Sequence, residues 1–539
     1  MVLSIFCSCN KEDNGGAETA PEGSENPPES NVVIGPAAEK EFLTTWLSAG
    51  YEKVQGGEEA PKNASSIRDL YMAKNEKESC TLSLRATKRV NSMKLEIEGL
   101  PANVSLTVYK EFMIPIKDKE YPDPLVESNL VVSVNANDTQ SFLLQFETDK
   151  NTKAGDYPVK IKLNNKDGAL VFEYTVTLHV WNFAYDDVLT NFGLSDIDEA
   201  DLAKAHKIEQ GTPEFEALYK NYYDLMLDYN FNAYELPYDI LDDRADAYMS
   251  DPRVKSFRID EKLPDATLKK IYNKLKTNPV WLEKAYFYPF DEPLTNEHQD
   301  QLVAACQRLE NLCPDIKRVI PFYKNPNYHK DTSIDQIELL SQYTDIFCPK
   351  ARSFDDSYIY TKEQKEKWGA IKTRMLNYKE EGYGLWWYVC WEPGAPFLNM
   401  YVNENGLHHR VLFWQQYLYG ADAFLFWEIN HWSGVNYDPW KDMATVKGLD
   451  PNVFGDGSLL YNGNHVKLDT AVPSLRLDII RDGMEDFEMI LLAKKYLGEA
   501  ETLKLVKKVT KDLVNYTNSA TSFESYRKAI GDAISAKLK

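Results

Sequence analysis

The sequence predicts a multidomain protein of α/β and β class: an antiparallel β-sandwich, then a (β/α)8 barrel of the TIM type, then a helical extension. Three observations predict it. Between about 32 and 182, short runs alternate polar and apolar residues with period two and are separated by turn residues. From 183 to 435, eight short apolar runs alternate with segments whose apolar residues recur at helical spacing. From 436 to 539 the chain carries a glycine-rich turn region and then long charged helical stretches. An open doubly wound sheet is the competing arrangement for the middle region, but no glycine-rich phosphate loop supports it.

In the first region the strands are 79–85, 93–97, 104–109, 130–134, 141–146, 155–163 and 170–181. The turn residues 164–168 join the last two as a hairpin. No acid pair ends a strand here, so this region is expected to be a support or docking domain. The barrel strands are expected at 189–194, 232–236, 256–259, 286–290, 318–323, 345–348, 384–389 and 423–427. Helices are expected at 215–229, 265–276, 296–312, 361–378 and 407–419, with only a short one within 238–251.

On this count Asp291 and Glu292 end the fourth strand, where Pro293 stops it. Neighbouring residues on a strand face opposite ways, so two adjacent acids share one site only where the backbone turns. The carboxyl ends of barrel strands are where general acid/base pairs stand. The bland alternative is a solvated loop capping the next helix. Other strand ends add to the same rim: Tyr323 on strand five, Trp386, Trp387, Tyr388, Trp391 and Glu392 on strand seven, and Glu428 and Trp432 on strand eight. Strand parity alone does not decide which of Trp386 and Trp387 points inward.

Composition narrows the partners. With 33 Tyr and 11 Trp in 539 residues, there are aromatic faces to stack on sugar rings, although large cores use the same residues. A formal net charge of -22 disfavours nucleic acid and acidic membrane surfaces. The seven cysteines form no CxxC pair, and no zinc or other cofactor site is expected. Cys306 and Cys313 fall on one helix face, as core residues do.

The first nine residues, Met-Val-Leu-Ser-Ile-Phe-Cys-Ser-Cys, resemble the end of a bacterial lipoprotein signal with Cys9 as the lipidated residue. Residues 10–31 are acidic and rich in Gly, Pro and Ser, as a flexible tether is. The expected location is therefore the cell envelope, lipid-anchored, facing the periplasm or outside. In the tail, 454–463 is expected to form a tight hairpin, and 473–492 a helix packed on the barrel. Arg476, Arg481, Asp482, Glu485 and Asp486 on that helix form either a buried ion network or a solvated face.

Five segments carry a family resemblance: Phe290-Asp-Glu-Pro293, Phe424-Leu-Phe-Trp-Glu-Ile-Asn430, Gly455-Asp-Gly457, Ser474-Leu-Arg-Leu477 and Ile480-Arg-Asp-Gly-Met-Glu-Asp-Phe-Glu488. Together they resemble glycoside hydrolase family 123 and its relatives, which include β-N-acetylgalactosaminidases. The resemblance implies a retaining exo-glycosidase that cleaves terminal β-linked N-acetylgalactosamine from glycans or glycolipids by substrate-assisted catalysis. Glu292 would then be the general acid/base, and Asp291 would orient the 2-acetamido group. By position, Tyr388 can hydrogen-bond the acetamido oxygen, Trp387 or Trp391 can floor the pocket, and Glu428, Trp432 and Tyr323 can contact the sugar. Two other readings stand beside it: a two-carboxylate retaining glycosidase using Glu292 and Glu392, and a non-catalytic glycan-binding lipoprotein.

Overall fold

The computed structural model describes residues 38–323, 335–448 and 451–538. Cys9 and the tether lie outside these residues. Ten strands come first: β1 (Leu43–Ala49), β2 (Ile67–Lys74), β3 (Lys77–Ala86), β4 (Val90–Glu98), β5 (Val104–Ile116), β6 (Lys119–Glu127), β7 (Val131–Val134), β8 (Asp138–Thr148), β9 (Gly155–Asn164) and β10 (Leu170–Ala184). One sheet has the order β1-β3-β8-β5-β6 and the other β2-β10-β9-β4-β7. Leu82, Leu84, Phe142, Leu144, Ile161 and Val176 are buried between them, as alternation requires.

One edge departs from the expected antiparallel sandwich. β2 lies parallel to β10, from Ile67 beside Thr175 to Met72 beside Val180. Its sequence neighbours β1 and β3 belong to the opposite sheet. No hairpin therefore dictates its direction, and it pairs with a strand a hundred residues on.

Eight strands then form the barrel: β11 (Phe192–Asp196), β12 (Phe231–Ala233), β13 (Phe257–Ile259), β14 (Ala285–Phe287), β15 (Lys317–Phe322), β16 (Ile346–Pro349), β17 (Gly384–Val389) and β18 (Ala423–Glu428). They pair in parallel in the order β12-β11-β18-β17-β16-β15-β14-β13. The ring is nearly closed. Across the gap from β12 to β13, the Arg258 amide donates to the Tyr234 carbonyl at 2.6 Å. Inside lie Leu194, Tyr286, Val319, Ile346, Cys348, Trp386, Tyr388 and Leu425. The alternate residues Phe287, Ile320, Phe347, Trp387 and Phe424 face the surrounding helices.

The helices Pro213–Asp228, Asp265–Leu275, Asn296–Leu312 and Gly406–Tyr419 fall where helical spacing predicts them, and the short helix within 238–251 is Ala245–Ser250. The expected helix 361–378 is instead two, Lys362–Trp368 and Ile371–Glu380. Gly369 separates them at φ 85°, a conformation that ends a helix. The expected hairpin at 454–463 is likewise different. Gly455 and Gly457 make tight left-handed turns, and the antiparallel pair is β19 (Leu460–Asn462) with β20 (Ala471–Pro473).

The helix Leu475–Leu497 is capped by Ser474 and buried along most of its length, charges included. Arg410 donates to Glu78, Asp482 and Asp486. Arg527, from the last helix Ala520–Lys537, donates to Glu76 and Asp486. Arg481 pairs with Asp478 and Asp482, and Gln145 of β8 donates to Asp478 at 2.7 Å. Arg476 forks onto Asp123 of β6 at 2.8–3.1 Å. The seam between sandwich and barrel is thus a buried lattice of guanidinium and carboxylate groups. Among the described residues no helix is long and apolar enough to cross a membrane.

Candidate active site

β14 stops at Phe287, four residues before the acids, because Pro289 has no amide hydrogen to continue the ladder. The loop Tyr288–Pro293 then climbs over the barrel mouth. Glu292 has a left-handed backbone, φ 43°. A side-chain-bearing residue holds that conformation only when its surroundings enforce it. The turn breaks the strand's alternation and brings both carboxylates to one cleft.

That cleft has a volume of about 710 Å³, the range of small-ligand sites. Asp291 and Glu292 line it with Tyr288. Arg258 belongs to the neighbouring strand β13, with Tyr234 beside Tyr288. Tyr388, Trp391 and Trp427 come from β17, its end and β18, the last of these across the ring from β14. The Tyr288 hydroxyl donates to Asp291 Oδ1 at 2.9 Å. The Tyr388 hydroxyl donates to Glu292 Oε1. Lys350, one residue past β16, is almost wholly buried, and its Nζ is 3.9 Å from both Glu292 and Glu392. The ammonium lies 4.3 Å from the Tyr323 ring centroid, with Trp391 farther out at 5.9 Å.

These contacts set the protonation of the acids. Burial is the first cause of a Glu292 pKa above the ordinary glutamate value; Asp291 and Glu392 add to it, while Lys350 and the Tyr388 hydroxyl oppose it. Asp291 is raised too, again first by burial, although its outer edge is exposed; Tyr288 and Lys350 pull the other way. Loss of water is thus the largest cause in both acids, and the neighbouring charge a smaller one in Glu292. Glu235, after β12, accepts from Arg258 Nε at 2.8 Å. Beside it Asp196 is pushed up to about 7, by burial first and then by Glu235.

The expected site residues separate into two groups. Asp291, Glu292, Tyr388 and Trp391 meet in the cleft, and Tyr323 lies beneath Lys350. Trp387 does not reach it. Its indole is fully buried outside the barrel, donates to Gln416 at 3.0 Å and stacks on Tyr419. Trp432 is also core, packed against Tyr222 and His206 and donating to the Leu460 carbonyl. Glu428 faces His431, with both oxygens 3.2 Å from Nδ1.

Asp201, Glu428 and His431 bring ligand atoms within 4.8 Å of one another. Each already has a partner in the protein, however, and Asp201 accepts from the amides of Trp432 and Ser433.

Sequence reasoning missed Lys350, Trp427 and Tyr288. Parity marks all three once one inward residue on each strand is known. Ile346, Cys348 and Lys350 alternate inward, as do Ala423, Leu425 and Trp427, and as do Tyr286 and Tyr288.

Residues 242–493 match the family model described as glycoside hydrolase 123, catalytic domain. No curated protein matches the chain. Among solved structures, a family 123 glycoside hydrolase from Clostridium perfringens, described for glycolipid glycan hydrolysis, aligns over 92% of this chain and 97% of its own, with a TM-score of 0.65 and 13% identity. That likeness is one of fold. A β-galacturonidase from Eisenbergiella tayi aligns over 82% and 72%, at 11% identity and a TM-score of 0.31. The matched span holds the acid pair and six of the eight barrel strands, from β13 to β18; the chain is a glycoside hydrolase and belongs to family 123.

Proposed function

We propose that the chain is a retaining exo-glycosidase that removes terminal β-linked N-acetylgalactosamine from glycans or glycolipids, with the substrate's own acetamido group as nucleophile. One observation carries this reading. Two adjacent carboxylates face one cleft, and each is held by its own tyrosine hydroxyl. Equivalent partners with separate tethers suit a division of labour.

In the first step the acetamido oxygen forms a bond to the anomeric carbon. The glycosidic bond breaks, and Glu292 gives its proton to the leaving oxygen. Positive charge grows on the amide, and Asp291 accepts its N–H and stabilises the oxazolinium ion. In the second step Glu292 takes a proton from water, whose oxygen attacks the anomeric carbon and returns the amide. Two inversions give retention. A raised Glu292 pKa favours the protonated form that the first step needs. Tyr388 serves Glu292 in this scheme, rather than the acetamido oxygen. The neighbour from Clostridium perfringens, with its glycolipid glycans, supports a glycolipid or similar glycan as substrate. Lipidation of Cys9 would hold the enzyme at a bacterial envelope, which palmitate labelling of wild type against Cys9→Ala tests.

A second reading has its own support. Lys350 joins Glu392 to Glu292, and Glu392 could then be a covalent nucleophile. Against it, the cleft lining passes from Trp391 without Glu392.

The deciding experiment pairs aryl β-N-acetylgalactosaminide and aryl β-N-acetylglucosaminide with their non-acetylated parents. Wild type, Asp291→Asn, Glu292→Gln and Glu392→Gln are assayed together. Hydrolysis confined to the acetylated sugars and lost in Asp291→Asn is expected. Equal cleavage of the parents, or a sugar ester trapped on Glu392, would sink acetamido participation. Sugar binding without any turnover would mark a binding protein instead.

A further inference from the structure

The Gly455-Asp456-Gly457 turn has no place in the chemistry above, yet it touches the cleft. Trp427 is the inward residue at the end of β18, half-buried, with one part of its indole lining the cleft. Its Nε1 donates to Asp456 Oδ2 at 2.9 Å. Asp456 is fully buried, and its other oxygen has no hydrogen-bond partner among the described residues. A buried carboxylate spent on one indole is an expensive arrangement. The His431 ring lies against Trp427 with centroids 4.8 Å apart, and the His431 amide donates to the Gly457 carbonyl at 2.8 Å.

Both glycines are required by geometry. Gly457 sits at φ 69°, and a Cβ there would come within 2.4 Å of Trp427 Cζ2. Gly455 sits at φ 81°, with Val402 and the Arg476 guanidinium where its Cβ would be. Arg476 donates to the carbonyls of Gly455 and Ser458 and forks onto Asp123. A rigid line therefore runs from the sandwich through Arg476 and the glycine turn to the face of one tryptophan in the cleft.

We propose that Asp456 is a positioning residue that fixes Trp427 as the apolar floor on which the substrate's sugar ring stacks. Sugar rings present C–H faces to aromatic rings, and such a contact gains most when the ring is already immobile. This inference rests on the reading of the cleft as a sugar site. Lining the mouth opposite the acids' wall, Trp427 would choose among epimers by which C–H face the ring offers.

The test is a mutant cycle on an aryl β-N-acetylgalactosaminide, read as KM against kcat below the melting temperature of every variant. Trp427→Ala and Asp456→Ala should each raise KM by about tenfold, with a smaller fall in kcat. In the Trp427→Ala background, Asp456→Ala should add nothing further. Asp456→Asn, whose amide oxygen still accepts the indole N–H, should recover most of the loss. Multiplying effects in the double variant, or an unchanged KM for Trp427→Ala, would overturn the proposal.

If Asp456→Ala does not fold, Trp427→Phe replaces it. That variant should raise KM, and adding Asp456→Asn should then leave KM as it is; a further rise would overturn the proposal. If wild type cleaves no aryl sugar, the proposed function fails. The brace is then judged by the 19F resonance of 5-fluorotryptophan, assigned through Trp427→Phe. A shifted or broadened Trp427 signal in Asp456→Ala supports it, and an unchanged signal refutes it.

Discussion

The Lys350 ammonium stands 3.9 Å from the Glu292 carboxylate, with its stem sealed in the barrel wall. The charge opposes the effect of burial and draws the Glu292 pKa down. Lys350→Met removes that opposition, so the Glu292 pKa rises. In the proposed scheme the protonated form starts the reaction, and the alkaline limb of kcat/KM follows its loss. That limb should move to higher pH, while the maximum rate falls by roughly tenfold to a hundredfold. A pH–rate profile of the two proteins checks it, and an unmoved limb would separate Lys350 from the proton chemistry.

Tyr388 and Tyr288 each hold one acid, so their hydroxyls should be separable. Tyr388→Phe should lower turnover by about tenfold on every cleaved substrate, because it serves the proton donor. Tyr288→Phe should act through Asp291 and weaken the response to the acetamido group. The ratio of rates on N-acetyl and N-trifluoroacetyl aryl glycosides measures this, with the larger change expected for Tyr288→Phe.

Stability should fall as pH rises from 5 to 8. Glu76 is raised to about 7, Glu111 to about 8 and Asp482 to about 8, with burial the first cause in each. These groups keep protons in the folded chain that the unfolded chain releases near its ordinary carboxylate pKa. The folded state then binds more protons, and stability declines through that window. Glu78, held near 2 against its burial chiefly by Arg410, works the other way and is lost only below the ordinary carboxylate range. Thermal melts should show Tm highest near pH 5 and lower by ~5 °C at pH 8. A flat profile would mean that water reaches these groups.

Arg410→Leu should be among the costliest single changes in the chain. It takes from Glu78, Asp482 and Asp486, all buried, the guanidinium they share, and leaves only Arg527 and Arg481 to offset three carboxylates. Removing one partner of such a pair costs about 3–5 kcal/mol. Denaturant unfolding measures it. Trp391→Ala, on an exposed cleft residue, should stay near wild type in the same assay.

The barrel was legible because each of its eight strands is a short apolar run with helical spacing between. Parity inside a strand was not, since Trp386 and Trp387 are equally apolar and only the ring's closure aims one inward. Lys350 escaped notice because a lone lysine past a strand looks solvated until Glu292 and Glu392 are brought to it. In the sandwich, β6 was hidden by Pro122 and Pro124, and β2 by the polar start Ile67-Arg-Asp. The acid pair was visible, but its shared direction depends on the left-handed turn at Glu292, which no propensity announces.

The ionic seam behind the barrel makes the amino-terminal sheets part of the enzyme's folding unit. Cut away, they would leave Arg410, Arg476 and Arg527 facing solvent-filled gaps where Glu78, Asp123 and Glu76 now sit. A barrel expressed alone should collect as insoluble protein, and recombining it with a foreign sandwich should fail unless those acids travel with it. A charge changed on one side of the seam should then need an answering change on the other.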